Sequence, residues 1–155
     1  MALEIERRFL IKNDNWKKFI KKKFFIEQGY LSKSLDNWII RIRCTGKDYK
    51  IALKKHIESF TNFEFEYSIP RKDGETIMSN LSNTIKKERF YLEVEKKSWI
   101  IDCFKENNYP LEIAEIELSS EKEDLSLPSF LSKEITGMTH YSNFNLATKP
   151  FSTWN

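Results

Sequence analysis

Polar and hydrophobic residues alternate with a period of two along much of this chain, the period at which side chains share one face of a β-strand. In the stretch 3–11, Leu3, Ile5 and Phe9 fall on one face while Glu4, Glu6 and Arg8 fall on the other. The pattern, with its β-branched and aromatic residues, predicts strands over 3–11, 24–31, 37–44, 48–56, 61–69, 86–95, 98–104 and 111–118. Between them the period lengthens. Trp16, Phe19 and Ile20 stand at helical spacing over 14–22, behind Asn13 or Asp14 as cap. Ile77, Met78, Leu81 and Ile85 form a second such stripe over 74–83, after Asp73. A less regular region follows Pro128, in which Phe130, Leu131, Tyr141 and Leu146 are set to pack on the rest. Eight antiparallel strands with a few peripheral helices predict an α+β fold, an eight-stranded antiparallel β-barrel.

The polar faces of these strands have an unusual composition. Arg41 and Arg43 oppose Ile40, Ile42 and Cys44; Lys50 and Lys54 oppose Ile51 and Leu53, with Ala52 on the charged side. Glu64 and Glu66 oppose Phe63, Phe65 and Tyr67, Lys87 and Arg89 oppose Phe90, and Glu115 and Glu117 oppose Ala114, Ile116 and Leu118. An ordinary solvated sheet face mixes Lys and Glu with Thr, Ser and Gln. Here acids come in pairs on three strands and bases in pairs on others, with few neutral polar residues among them. Like charges two residues apart repel, and confinement strips their hydration, so converging these faces on one lumen costs stability unless acids, bases and bound ions neutralise each other. A cost of that kind points to function. The barrel is therefore expected to carry its charges inside and its apolar faces outside, under the helices; eight strands enclose room for one small ligand.

Composition narrows the rest. The chain has 155 residues, the size of one domain spanning 1–155, with neither a Gly/Ser linker nor a repeat. Lys and Arg number 26 against 23 Asp and Glu, a net charge of +3 that gives no ground for nucleic-acid binding. Cys44 and Cys103 lack the spacing of a metal knuckle or redox pair and read as free thiols of a reducing compartment. No stretch approaches the roughly 20 apolar residues of a membrane span, and the N-terminus has no long apolar h-region, so a soluble cytoplasmic protein is expected.

Clustered carboxylates are hard-oxygen ligands suited to Mg²⁺ or Mn²⁺, and Arg and Lys are natural partners of phosphate oxygens. A lumen holding both favours a polyanion gripped by bases and bridged to acids by a divalent cation. A metal–triphosphate complex fits that description.

The residues that carry this chemistry also resemble a known family. Glu4-Ile-Glu6-Arg7-Arg8 is similar to the ExExK signature of the CYTH superfamily, the triphosphate tunnel metalloenzymes. The likeness continues in order through Gln28-Gly29-Tyr30-Leu31, Arg41-Ile-Arg43, Ile51-Ala-Leu-Lys54, Phe63-Glu64-Phe-Glu66-Tyr67, Lys87-Glu-Arg89, Trp99 to Asp102, Ala114-Glu115-Ile-Glu117-Leu118 and Tyr141-Ser-Asn143. The resemblance, to the short bacterial branch, implies a barrel that hydrolyses inorganic triphosphate or another small-molecule triphosphate with Mg²⁺ or Mn²⁺, as a monomer or homodimer. By motif position it implies Glu4, Glu6, Glu115 and Glu117 as metal ligands. Glu64, Glu66 and Glu117 are implied as the catalytic carboxylates, near a second metal or the attacking water. Arg8, Arg41, Arg43, Lys54, Lys87 and Arg89 form the implied phosphate-binding set. Four positions depart from the family pattern: Arg8 replaces Lys, Asn62 and His140 stand where Arg is expected, and Met138 where Asp is common. Relatives with the same tunnel keep two other enzymatic readings open, adenylate cyclase and thiamine triphosphatase. A third reading, of a different class, is a polyphosphate- or nucleotide-binding module without turnover.

Overall fold

The structure, a computed structural model, describes residues 2–33 and 35–155. Nine strands form one antiparallel sheet: β1 (Leu3–Ile11), β2 (Ile20–Lys33), β3 (Ile39–Thr45), β4 (Asp48–Glu58), β5 (Thr61–Ile69), β6 (Thr84–Val94), β7 (Lys97–Phe104), β8 (Glu112–Glu117) and β9 (Leu131–Glu134). Their order is β5-β4-β3-β2-β6-β7-β8-β1-β9. A further pairing of β5 with β1, Leu3 opposite Phe63 and Ile5 opposite Thr61, closes eight strands into a barrel. The helices α1 (Arg71–Ser79) and α2 (Asn143–Thr148) and four short 3₁₀ turns lie around it. No helix among the described residues is long and apolar enough to cross a membrane.

Three elements differ from the sequence expectation. The expected helix over 14–22 is a 3₁₀ turn, Asp14–Phe19, and the chain is already strand at Ile20. β6 is long enough to pair Ile20 with Leu92 and Lys22 with Tyr91, and that pairing overrides the local helical spacing. α1 begins at Arg71, earlier than expected, because Pro70 occupies the cap position, where a missing N–H costs nothing. β9 was not foreseen: its sequence LSKE has no alternation of note, and it forms because β1 offers Phe9 and Ile11 an open edge beyond the end of β5.

The main apolar core lies outside the ring of strands. Phe9, Leu92, Trp99, Ile101, Ala114 and Ile116 point outward from β1, β6, β7 and β8, and are covered by Trp16 of the 3₁₀ turn and by Leu118, Phe130 and Leu131. Elsewhere α1 supplies cover. Gly74 sits so close to the Tyr49 ring that a Cβ there would meet Cγ at 2.2 Å. The outer face of β5 is not covered, and Phe63, Phe65 and Tyr67 are exposed. A second apolar cluster fills one end of the barrel interior: Ile85, Phe104 and Ile113 pack with Leu146 of α2, and Leu10 lies against them. These residues share strand parity with the charged set, so the lumen is charged over part of its length and plugged by apolar side chains at the end.

Candidate active site

Every charged pair singled out by strand parity points into the barrel or its mouth. Glu4 and Glu6 of β1, Arg41 and Arg43 of β3, Lys54 of β4, Glu64 and Glu66 of β5, Arg89 of β6, and Glu115 and Glu117 of β8 line one cavity of about 580 Å³. That volume lies in the range of small-molecule sites. Arg8 instead lines a compartment of about 100 Å³, which shares Glu6, Arg41, Lys54 and Asn143 with the larger one. Lys87 lines neither. Its ammonium is fully buried, with Nζ 2.6 Å from Asp102 Oδ2 and 3.1 Å from Asn143 Oδ1.

The register of the strands fixes who faces whom. Glu6 stands opposite Glu117, Arg8 opposite Glu115, and Lys54 opposite Glu64. Lys54 is the hub of the acidic side: its ammonium pairs with Glu4, with Glu6 Oε1 at 3.5 Å and with Glu64 Oε2 at 3.9 Å. Arg41 Nη2 donates to Glu66 at 3.0 Å and Glu64 at 3.4 Å, and Lys50 also reaches Glu66, at 3.0 Å. Arg43 Nε donates to Gln28 Oε1 at 3.0 Å, and Gln28 in turn donates to the Tyr30 hydroxyl at 2.7 Å.

One ammonium shared among three carboxylates cannot hold all of them ionised. Burial, and then the neighbouring Glu6, push Glu4 up to about 8 even though Lys54 pulls the other way. Burial also acts to raise Glu6 and Glu64, but Lys54 with Arg8 outweighs it at Glu6, and Arg41 at Glu64, so both titrate below the ordinary value. Glu115 is raised, by burial and then by Glu6. Among the bases, burial and then Arg41 lower Arg43 to about 10. Burial lowers Lys87 to about 7 against the attraction of Asp102, and the repulsion of the nearby Arg89 charge adds to the lowering.

Some polar atoms in this lumen make no hydrogen bond within the protein, only ion pairs of 3.8 Å or longer or none. Glu64 Oε2 and Glu115 Oε1 are buried acceptors without a hydrogen bond, and Arg8 Nε, Arg8 Nη2 and Arg41 Nε are buried donors without one. Burying such groups unsatisfied is costly. Acceptors and cationic donors that meet each other only at long range leave room for a ligand that presents a cation and anionic oxygens together, so the residues fit a divalent metal with phosphate. Among the described residues, no three acidic, imidazole or thiol side chains stand close enough to form a ready cation cage. Lys54 occupies the ground between Glu4, Glu6 and Glu64.

Two members of this network, Asp102 and Asn143, stand in stretches that carry the family likeness, but the sequence assigns neither a role. Asp102 is fully buried and receives Arg89 through two hydrogen bonds of 2.8 Å as well as Lys87. Its signal was present, a lone acid at the parity of Ser98 and Ile100. Asn143, from outside the strands, lines both compartments. Of the departures from the family pattern, Asn62 donates to Glu4 Oε2 at 3.4 Å. His140 packs at tilted angles against the rings of Tyr141 and Trp154, 4.5 and 5.2 Å away, and Met138 packs on the apolar plug.

No family model matches the chain. An inorganic triphosphatase of Acetivibrio thermocellus is 30% identical over 156 residues, covering 99% of each chain. The crystal structure of another inorganic triphosphatase is similar over 95% of both chains, with a TM-score of 0.69 and 26% identity. A putative adenylyl cyclase from Hippeastrum with a dominant triphosphatase activity has a similar fold, with a TM-score of 0.59 at 14% identity over 77% of this chain and 80% of that one.

Proposed function

The chain belongs to the CYTH superfamily of inorganic-triphosphatase-like tunnel enzymes, and on that premise we propose that it hydrolyses a triphosphate, inorganic tripolyphosphate before nucleotides, with Mg²⁺ or Mn²⁺. The observation that carries this reading is the meeting of Glu4, Arg41, Glu64 and Glu117, from four different strands, around one cavity. Two free thiols, Cys44 and Cys103, suit a cytoplasmic setting.

Glu4, Glu6, Glu115 and Glu117 are the residues that would hold the cation. Bound there, it would polarise phosphoryl oxygens and offset the charge that develops on them. Arg41, Arg43, Lys54 and Arg89 grip the phosphate chain and stabilise charge on the transferred group and the leaving pyrophosphate. Arg8 serves the smaller compartment. Lys87 acts from behind, through Asp102, and does not touch the substrate. Glu117 has no ion pair among the described residues, which leaves its carboxylate available to orient water for in-line attack; Glu64 and Glu66 are held on Arg41 and shape the same wall.

The test is phosphate release from tripolyphosphate, ATP, thiamine triphosphate and pyrophosphate in millimolar Mg²⁺ or Mn²⁺. Tripolyphosphate should turn over fastest, and a protein with both Glu4→Gln and Glu6→Gln should be slower by at least about a hundredfold. A double variant as fast as the unaltered protein would refute the assignment. Cyclic AMP from ATP would point to a cyclase.

A further inference from the structure

The smaller compartment has a wall that no strand provides. Residues 142–144, at the start of α2, enter the barrel there, and Ser142, Asn143 and Phe144 face Arg8, Tyr30 and Arg41 across about 100 Å³. The segment is held in place at three points. Arg8 Nη1 donates to the Tyr141 carbonyl at 3.0 Å, Phe144 meets the Tyr30 ring edge-on at 5.5 Å, and Lys87 Nζ donates to Asn143 Oδ1.

That last contact fixes the carboxamide. With Oδ1 turned to the buried amine of Lys87, Nδ2 must point the other way, and it has no protein acceptor among the described residues. Its neighbour across the compartment, Arg8, has buried Nε and Nη2 donors that make no hydrogen bond, Nε lying 3.8 Å from Glu115 Oε1. Donors that make no hydrogen bond on facing walls suit an oxyanion between them. The space is far below the roughly 300 Å³ at which ordinary ligand pockets begin, so it admits one small group and excludes a nucleoside.

We infer that Asn143 is a substrate-binding residue: with Arg8 it seats the terminal phosphoryl group at the inner end of the chain, donating through Nδ2 to one of its oxygens. The inference rests on the triphosphatase reading above. A neutral amide at this place reads an oxygen without adding a further cation, and Lys87 sets its direction.

The test compares Asn143→Ala and Asn143→Asp with the unaltered protein. Tripolyphosphate binding is measured by calorimetry with Mg²⁺, kcat and KM by phosphate release, and folding by thermal melting. Asn143→Ala should weaken binding and raise KM by roughly tenfold or more, the value of a hydrogen bond to a charged group, with a smaller change in kcat. Asn143→Asp should raise KM further, because its carboxylate repels phosphate. Its melting temperature should stay at or above that of the unaltered protein, because the same carboxylate pairs with Lys87. That split distinguishes a substrate contact from a structural role, and Asn143→Asp keeps the test open if Asn143→Ala fails to fold. Binding and KM within twofold in the folded variants would overturn the inference. An unaltered protein that does not bind tripolyphosphate would overturn this inference together with the function it rests on.

Discussion

Arg89 is clamped on Asp102 by two parallel hydrogen bonds, Nε to Oδ1 and Nη2 to Oδ2, each 2.8 Å long, and Lys87 shares the same carboxylate from the other side. The two bases hold Asp102 far below the ordinary carboxylate range although burial alone would raise it. One buried acid thus fixes the direction of a guanidinium that reaches into the lumen. Asp102→Asn keeps the shape and removes the charge. It should cost roughly 3–5 kcal/mol in denaturant unfolding, as expected when one partner of a buried ion pair is lost. In whatever fraction remains folded, KM for tripolyphosphate should rise because Arg89 has lost its seat.

Lys54 stands among the carboxylates that a metal would need. A cation arriving alone must displace this ammonium, whereas one arriving with triphosphate offers the ammonium a phosphate oxygen in exchange. Metal and triphosphate should therefore strengthen each other's binding. Calorimetry with Mg²⁺ alone should give weak binding to the unaltered protein. Lys54→Met should bind Mg²⁺ alone at least about tenfold more tightly and lose most of the coupling. Equal affinity for Mg²⁺ in the two proteins would contradict this.

Glu4, raised to about 8 by burial and by Glu6, sets a pH dependence whose sign differs from that of ordinary salt-bridged acids. Between the ordinary value of 4.5 and about 8 the folded, metal-free protein holds a proton that the unfolded chain has released. The contribution of Glu4 to stability is thus complete below 4.5 and is lost as the pH rises through 8. Metal binding runs the other way, because a ligand must be deprotonated. Affinity for Mg²⁺ with tripolyphosphate should rise by up to about tenfold per pH unit toward 8 and then level off. Glu4→Gln should flatten that rise in titrations from pH 6 to 9.

At Gly74 the requirement is space. A methyl group there would drive into the Tyr49 ring, so Gly74→Ala should destabilise the fold by about 1–3 kcal/mol through overpacking. Gly74 and Tyr49 lie on the outside of the barrel, so kcat and KM measured well below the melting temperature should not change.

Strand parity carried most of the site. Glu4, Glu6, Arg41, Arg43, Glu64, Glu66, Glu115 and Glu117 could be assigned to one interior because a two-residue period leaves no other arrangement once the barrel closes. What parity could not give was depth. Lys87 and Arg89 share a face, yet Arg89 lines the cavity and Lys87 is sealed behind Asp102. Nor could it show the apolar plug: Ile85, which falls at the end of the helical stripe, is in β6, and it faces Phe104 and Ile113 inside the barrel only once α2 is placed against them. Ile20 is strand where helical spacing predicts a helix, and β9 forms where no element is expected, for a related reason: long-range partners decide their conformation, Leu92 for Ile20 and Phe9 and Ile11 for β9. Asn143 lies in a segment without regular period; the family likeness marks the stretch, but only its place in the fold gives the residue a role.

Most of the grease that holds this molecule together sits on the outside of the ring, where Trp16, Trp99, Phe130 and their neighbours meet. Cohesion and chemistry therefore draw on opposite sides of the same strands. Side chains that face the open cavity, unlike the buried Asp102 clamp, can be exchanged with little effect on that outer mantle, so a barrel of this kind can take on a different anion, or a different reaction, while its shape stays the same.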